Sequence, residues 1–165
     1  MNLGTATIDA ATASSGGITA TTVTMGAGDV LTVSGGNVTS AIVVTDATSS
    51  MVISGSDVTV TGDINAAGAT DAGIISVTGD KATFAGNLGA ASGTNILTLA
   101  IAASKRAVIT ETANFVDQID IDAAGELEIS KAVTSGTIIT ATGTTFAAAD
   151  IPTGSKIYML SLIHI

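Results

Sequence analysis

Residues 51–64 read MVISGSDVTVTGDI, and residues 75–88 read ISVTGDKATFAGNL. Each segment contains two short runs in which apolar and polar residues alternate, joined by Ser54-Gly55 or by Thr78-Gly79. Alternation with a period of two places the apolar residues of each run on one face of a β-strand. The two segments are therefore copies of one unit, which consists of a strand, a corner with Ser or Thr followed by Gly, and a second strand.

The unit recurs along most of the chain. Residues 31–39, LTVSGGNVT, form another copy. The second apolar residue of each first run serves as a marker, and the markers are Val33, Ile53, Val77, Leu99 and Ile121, at steps of 20, 24, 22 and 22 residues, with the next expected near Ala141. The second runs follow at Val38, Val58, Ala82, about Val108, and Leu127. This spacing lies within the range of solenoid repeats.

One unit is too small to bury its own apolar face, so it gains stability when the next unit covers it. We therefore predict an all-β fold, a single-stranded parallel β-helix (β-solenoid) with coils of about 20–24 residues. A β-sandwich built from hairpin-like units is the alternative architecture. A short helix is a local alternative over 100–108. The corners are expected at glycines that bend the chain, with positive φ where needed, namely Gly35, Gly55, Gly62, Gly79, Gly86 and Gly125.

The chain divides into three predicted parts. Residues 1–28 read as weaker copies of the unit or as a frayed end, and residues 29–159 as solenoid repeats. Residues 160–165, LSLIHI, break the pattern and resemble the translated mosaic-end adapter of transposase-based sequencing libraries. We expect this tail to be non-native and the natural protein to continue beyond about Met159. His164, the single histidine of the chain, lies in it and is assigned no role.

Composition narrows the classes of function. The chain is 46% hydrophobic but only 2% aromatic, which suits a narrow core of small and β-branched residues. A net charge of -9 opposes binding to nucleic acid. The absence of cysteine excludes disulfides and thiolate metal sites. No apolar run approaches the roughly 18 residues of a membrane helix, so membrane insertion is not expected.

One acidic cluster qualifies as a candidate site. It comprises Asp117, Asp120, Asp122, Glu126 and Glu128, with the basic residues Lys105, Arg106 and Lys131 nearby. Clustered acids with a base could line the groove of a glycan-acting β-helix, whereas a solvated strand face accounts for the same charges more simply. We favour the solvated face and predict no catalytic, cofactor-binding or metal-binding residue. Ca²⁺ is the one cofactor left open, as a minor alternative.

Repeated Thr-x-Thr pairs invite comparison with ice-binding solenoids, which present flat ladders of threonine. The predicted outward file through Thr32 continues with Val52, Ser76, Thr98, Asp120 and Thr140. Val and Asp interrupt such a ladder, so this function is not favoured.

The stacked units, each an apolar-x-apolar run followed by Ser/Thr-Gly, extend over about 29–146. They resemble the repetitive β-helical regions of bacterial surface proteins, namely filamentous haemagglutinin-like adhesins, autotransporter passengers and S-layer proteins. The resemblance implies an extracellular or cell-surface structural or adhesive segment without catalytic activity. Its implied partners are a host or neighbouring-cell surface, glycans, or copies of itself, including end-to-end association. A phage or viral fibre shaft and a fragment of a glycan-acting enzyme are the alternatives.

Overall fold

The structure is a computed structural model that describes residues 2–8, 11–67, 71–89, 95–111, 116–129 and 156–159. Within these residues the chain forms strands and turns and no helix. The strands are β1 (Asn2–Ile8), β2 (Ala11–Ser14), β3 (Ile18–Met25), β4 (Val30–Val33), β5 (Val38–Val44), β6 (Ser50–Ile53), β7 (Val58–Val60), β8 (Ile64–Ala66), β9 (Ala72–Val77), β10 (Lys81–Phe84), β11 (Ile96–Ile101), β12 (Arg106–Ile109), β13 (Val116–Ile121), β14 (Glu126–Ile129) and β15 (Lys156–Met159).

The strands form a parallel β-solenoid of about 5 turns. One sheet has the order β13-β11-β9-β6-β4-β2, and the other has the order β1-β3-β5-β7-β10-β12-β14-β15. The strands from β1 to β7 and from β9 to β14 alternate between the two sheets, so neighbouring strands in a sheet come from successive coils. The predicted β-solenoid is confirmed. The β-sandwich is wrong, since its hairpins would require antiparallel pairs.

A third side closes the coils. The register of β3 against β5 shifts between Thr19 and Thr22. The parts of both strands that follow this irregularity belong to the third side. β8 pairs with the later half of β5, and Leu88, on the coil that follows β8, forms a bridge to Ile64. From β1 to Leu88, successive coils are therefore hydrogen-bonded on three sides, around one enclosed core.

Inward side chains stack in columns along the six-stranded sheet. One column contains Val33, Ile53, Val77, Ile101 and Ile121, and a second contains Leu31, Met51, Ile75, Leu99 and Ile119. All ten residues are buried. Four of the five predicted markers share a column, and the assignment of Leu99 to it is wrong by two residues. Leu99 and Ile101 both satisfy the alternation, so only the pairing with neighbouring strands distinguishes them.

The nine-stranded sheet requires a similar correction. Val58 pairs with Ala82, Ala82 with Ala107, and Ala107 with Leu127, whereas Val38 pairs with Val60 rather than with Val58. The helix considered over 100–108 is also wrong. β11 ends at Ile101, a turn with Ser104 at φ 60° follows, and β12 begins at Arg106.

The Ser or Thr at each corner joins two coils. The backbone N–H and the hydroxyl of Ser54 both donate to the carbonyl oxygen of Val33, and those of Thr78 both donate to Ile53. Thr45, Thr61 and Thr110 repeat the pattern at other corners, with hydroxyl-to-carbonyl distances of 3.0–3.2 Å. The N–H of the following glycine, Gly55 or Gly79, also donates to the same oxygen of Val33 or Ile53, at 3.2 and 2.9 Å. The hydroxyl thereby stabilises the end of each strand.

Glycine follows Ser54, Thr61 and Thr78 because the coils approach closely there. A Cβ atom on Gly79 would overlap the carbonyl oxygen of Gly55, and one on Gly62 would overlap that of Ser40. The expectation that φ is positive at Gly35, Gly55, Gly62, Gly79, Gly86 or Gly125 is wrong. Close approach of backbone, rather than a left-handed conformation, explains glycine at Gly62 and Gly79.

The division of the chain at residues 28 and 159 stays a prediction. β1 pairs with β3, and β2 pairs with β4, in the same parallel manner as later coils. The tail at 160–165, with His164, lies outside the described residues, as does Lys131.

We expect Gly79→Ala to lower the free energy of unfolding by about 2–3 kcal/mol, because the backbone of the neighbouring coil occupies the space of the new methyl group. Gly16→Ala is the matched control, since Gly16 is exposed and its Cβ would meet no atom within 4 Å. This variant should remain within about 0.5 kcal/mol of the parent chain. Urea denaturation measures both variants, and equal stability of the two would contradict the close approach of the coils.

Candidate functional site

The predicted acidic cluster is split between two sheets. Asp117 and Asp120 belong to β13 in the six-stranded sheet, whereas Glu126 and Glu128 belong to β14 in the other. Asp120 and Asp122 are exposed, and Asp120 accepts a hydrogen bond of 2.6 Å from the Gln118 side chain. The structure therefore does not gather the five acids into one groove.

The basic residues near this cluster pair with acids of adjacent coils. Arg106 forms an ion pair with Glu128, and Lys105 lies 2.8 Å from Asp80. Lys81 completes the same arrangement with Asp57 at 3.1 Å. Every Lys or Arg whose side chain the structure describes thus bridges two coils. A solvent-exposed pair such as Lys81–Asp57 stabilises a fold only slightly, so its main effect is to place opposite charges side by side on neighbouring coils.

A different polar group lies where the third side meets the six-stranded sheet. It consists of Asp71, just before β9, Asn95, just before β11, and Asp117 near the start of β13, and we call it the corner triad. The backbone N–H of Asn95 donates to Asp71 at 2.9 Å, and its side-chain Nδ2 donates to Asp117 at 2.8 Å. Because β9, β11 and β13 are neighbours, the triad spans three successive coils.

Asn95 is the most buried member of the corner triad. It is 4% exposed, whereas both aspartates are half-buried. Its Oδ1 atom is buried and accepts no hydrogen bond from the described residues. Buried polar atoms in proteins are nearly always paired, so an acceptor without a donor marks a place that a ligand, proton or ion could complete.

The environment of Asp117 disfavours its charge. Burial raises the pKa of Asp117 above its ordinary value, and the hydrogen-bonding contact with Asp71 raises this pKa further, while the bond from Asn95 opposes the shift. Two carboxyl groups in contact cannot both ionise without cost, since like charges repel. The corner triad is therefore an electrostatically unfavourable arrangement at neutral pH.

Sequence reasoning identified Asp117 but missed Asp71 and Asn95. Both precede the first inward residue of a strand, Ala72 or Ile96, and these two inward residues are partners in the sheet. That shared position is the signal that could have found them. It becomes visible only after β9 and β11 are correctly aligned, and the misplacement of Leu99 concealed it.

Comparison of the chain with protein-family models, curated proteins and solved structures finds no match. Along the described residues, no helix is long and apolar enough to cross a membrane. In the same part of the chain, no group of three or more His, Cys, Asp and Glu residues is placed to hold a metal ion.

We expect Asp117→Asn to raise the free energy of unfolding at pH 7, because the neutral amide removes the repulsion with Asp71. The folded chain binds the Asp117 proton more tightly than the unfolded chain does, so this group makes stability increase as the pH falls toward its raised pKa. The variant should lose that part of the pH dependence.

Thermal unfolding between pH 4 and pH 8 measures the effect. Asp120→Asn removes the same charge from an exposed position of the same strand and is the control. If both variants changed stability equally across this pH range, general charge reduction rather than the Asp71–Asp117 contact would be responsible.

Proposed function

We propose that the chain is a structural segment of a bacterial cell-surface protein, located outside the cell, that acts as a stiff, non-catalytic spacer with adhesive outer faces. The observation that carries this proposal is the continuous parallel stack, in which strands of successive coils pair along both sheets and, from β1 to Leu88, also along the third side. Such a stack extends by adding coils and needs no separate domain core.

The use of polar side chains supports a structural role. Corner hydroxyls donate to carbonyl groups of the neighbouring coil, and Lys81, Lys105 and Arg106 pair with acids across coils. Many side chains that could participate in chemistry are thus engaged in joining coils. This arrangement favours a scaffold over the glycan-acting enzyme, whose groove would need the separated acids to converge.

The outer face of the six-stranded sheet is the surface that we assign to contact with partners. Over β4, β6, β9 and β11 its outward positions carry no charge, and they are Val30, Thr32, Ser50, Val52, Ile74, Ser76, Thr98 and Ala100. In the structure Ala100 lies beside Ser76, where the sequence predicted Thr98. The row of outward residues through Thr32 is therefore not a continuous ladder of threonine. An uncharged sheet face on a chain with net charge -9 suits contact with a cell surface, with glycans or with another copy of the chain.

An antibody against the chain should label intact, unpermeabilised bacteria that carry the gene, because the proposal places this segment outside the cell. Labelling that requires permeabilisation would contradict the cell-surface location. An antibody against a cytoplasmic protein of the same cells is the control for membrane integrity.

Light scattering of the purified chain provides a second readout. Monomers, or end-to-end assemblies without a fixed number of chains, agree with a spacer. A defined trimer would favour the fibre shaft of a phage or virus over the cell-surface protein.

A further inference from the structure

The corner between β4 and β5 carries a modification motif. Asn37, Val38 and Thr39 form an Asn-x-Thr sequence whose middle residue is not proline, the pattern of an N-glycosylation acceptor. The chain has six asparagines, and the other five lack Ser or Thr two residues later. A short motif of this kind also arises by chance in a chain rich in threonine, so its surroundings in the structure decide whether it is usable.

The side-chain amide of Asn37 has a fixed orientation at the surface. Asn37 is exposed, and its Oδ1 accepts the backbone N–H of Thr59, on the following coil, at 3.0 Å. The donor at this place is an N–H, so the oxygen of the amide must face it, and Nδ2 lies on the other edge of the group. Nδ2 has no acceptor among the described residues. The atom to which a sugar is attached is therefore available.

Thr39 lies on the same outer face as Asn37. Val38, between them, is buried in the core, so the residues on either side of it point outward. The hydroxyl groups of Thr45 and Thr61 donate to carbonyl groups of adjacent coils, whereas that of Thr39 donates to none of the described residues. The scaffold thus leaves unused the two groups that define the motif, the Asn37 nitrogen and the Thr39 hydroxyl.

The surroundings of Asn37 have room for a sugar. Its neighbours on the flanking coils are small: Thr59 on one side, and on the other side Thr19, which pairs with Thr39, and the exposed Gly16. A Cβ atom on Gly16 would meet no atom within 4 Å. An N-linked sugar also leaves Oδ1 unchanged, so the hydrogen bond to Thr59 survives the modification.

We propose that Asn37 is the acceptor of an N-linked sugar, an inference that rests on the extracellular location proposed above. The donor is a sugar activated as a diphosphate ester at C1, carried by a nucleotide or by a lipid. Nδ2 bonds to C1 as the bond from C1 to the diphosphate oxygen breaks. The diphosphate leaves with that electron pair, and Nδ2 releases one proton. Because Val38 is buried in the folded stack, the transferase acts before this coil folds.

Mass spectrometry of the protein recovered from bacteria that carry the gene tests the proposal. Cleavage on the N-terminal side of Asp29 and Asp46 releases residues 29–45, which contain Asn37 and no other asparagine. We expect most copies of this peptide to carry a sugar on Asn37. A bare peptide from protein that antibodies label on intact cells would overturn the modification and leave the cell-surface location standing. A modified peptide from protein that is labelled only after permeabilisation would support the modification and contradict the location.

Two expression hosts distinguish the donors and test the variants. One host makes the chain in its cytoplasm beside a transferase that uses nucleotide sugars, and the other is yeast that secretes the chain, where the donor is lipid-linked. We expect the parent chain to be modified in at least one host, which identifies the donor, and Asn37→Gln to be bare in both.

Thr39→Val should also abolish the modification, because it removes the hydroxyl of the motif and retains both Asn37 and a side chain of similar shape. Asn65→Gln is the matched control, since Asn65 lies outside any such motif, and it should be modified like the parent. A parent chain that is bare in both hosts, or a Thr39→Val variant modified as fully as the parent, would overturn the assignment.

Discussion

The hydrogen bonds between parallel backbones of successive coils are the interaction on which the rest of the structure depends. Parallel strands leave each coil with N–H and carbonyl groups that only the coils on either side can satisfy. Once the coils stack in this way, the same positions of each unit must face inward in every coil. Columns such as the one through Val33 and Ile53 are a consequence of this constraint, and their burial then stabilises the stack.

The same constraint determines where polar residues lie. A hydroxyl at a corner can donate to the coil beside it, as Ser54 and Thr78 do, and a glycine after it permits the close approach. Opposite charges on adjacent coils lie within reach of one another, as Lys81 and Asp57 show. Like charges can be brought together as well, and at Asp71 and Asp117 the stack does so beside a buried amide.

The sequence was sufficient to predict the class of fold, because an alternating pattern that recurs every 20–24 residues is typical of a solenoid and of few folds besides. It predicted less of the register. Leu99 and Ile101 belong to the same alternating run, and the spacing between units varies along the sequence, so periodicity alone could not select between them. The close approach of the corners could not be predicted either. What requires glycine at Gly79 is the backbone of the neighbouring coil, which the sequence around Gly79 does not reveal. The corner triad was missed for the same reason, since Asn95 is informative only beside its partners.

The register of β9 against β11 is the most direct test of the stacked fold, and the absence of cysteine makes it measurable by disulfide formation. Ser76 and Ala100 are partners on neighbouring strands, whereas Ser76 and Thr98 are two residues out of step. Partners on adjacent strands lie about 4.8 Å apart, and a shift of two residues moves them beyond the roughly 7 Å that a disulfide spans. We expect rapid oxidation of the double variant Ser76→Cys with Ala100→Cys and none of Ser76→Cys with Thr98→Cys. Preferential oxidation of the second pair would contradict the register, and oxidation of neither would contradict the stack.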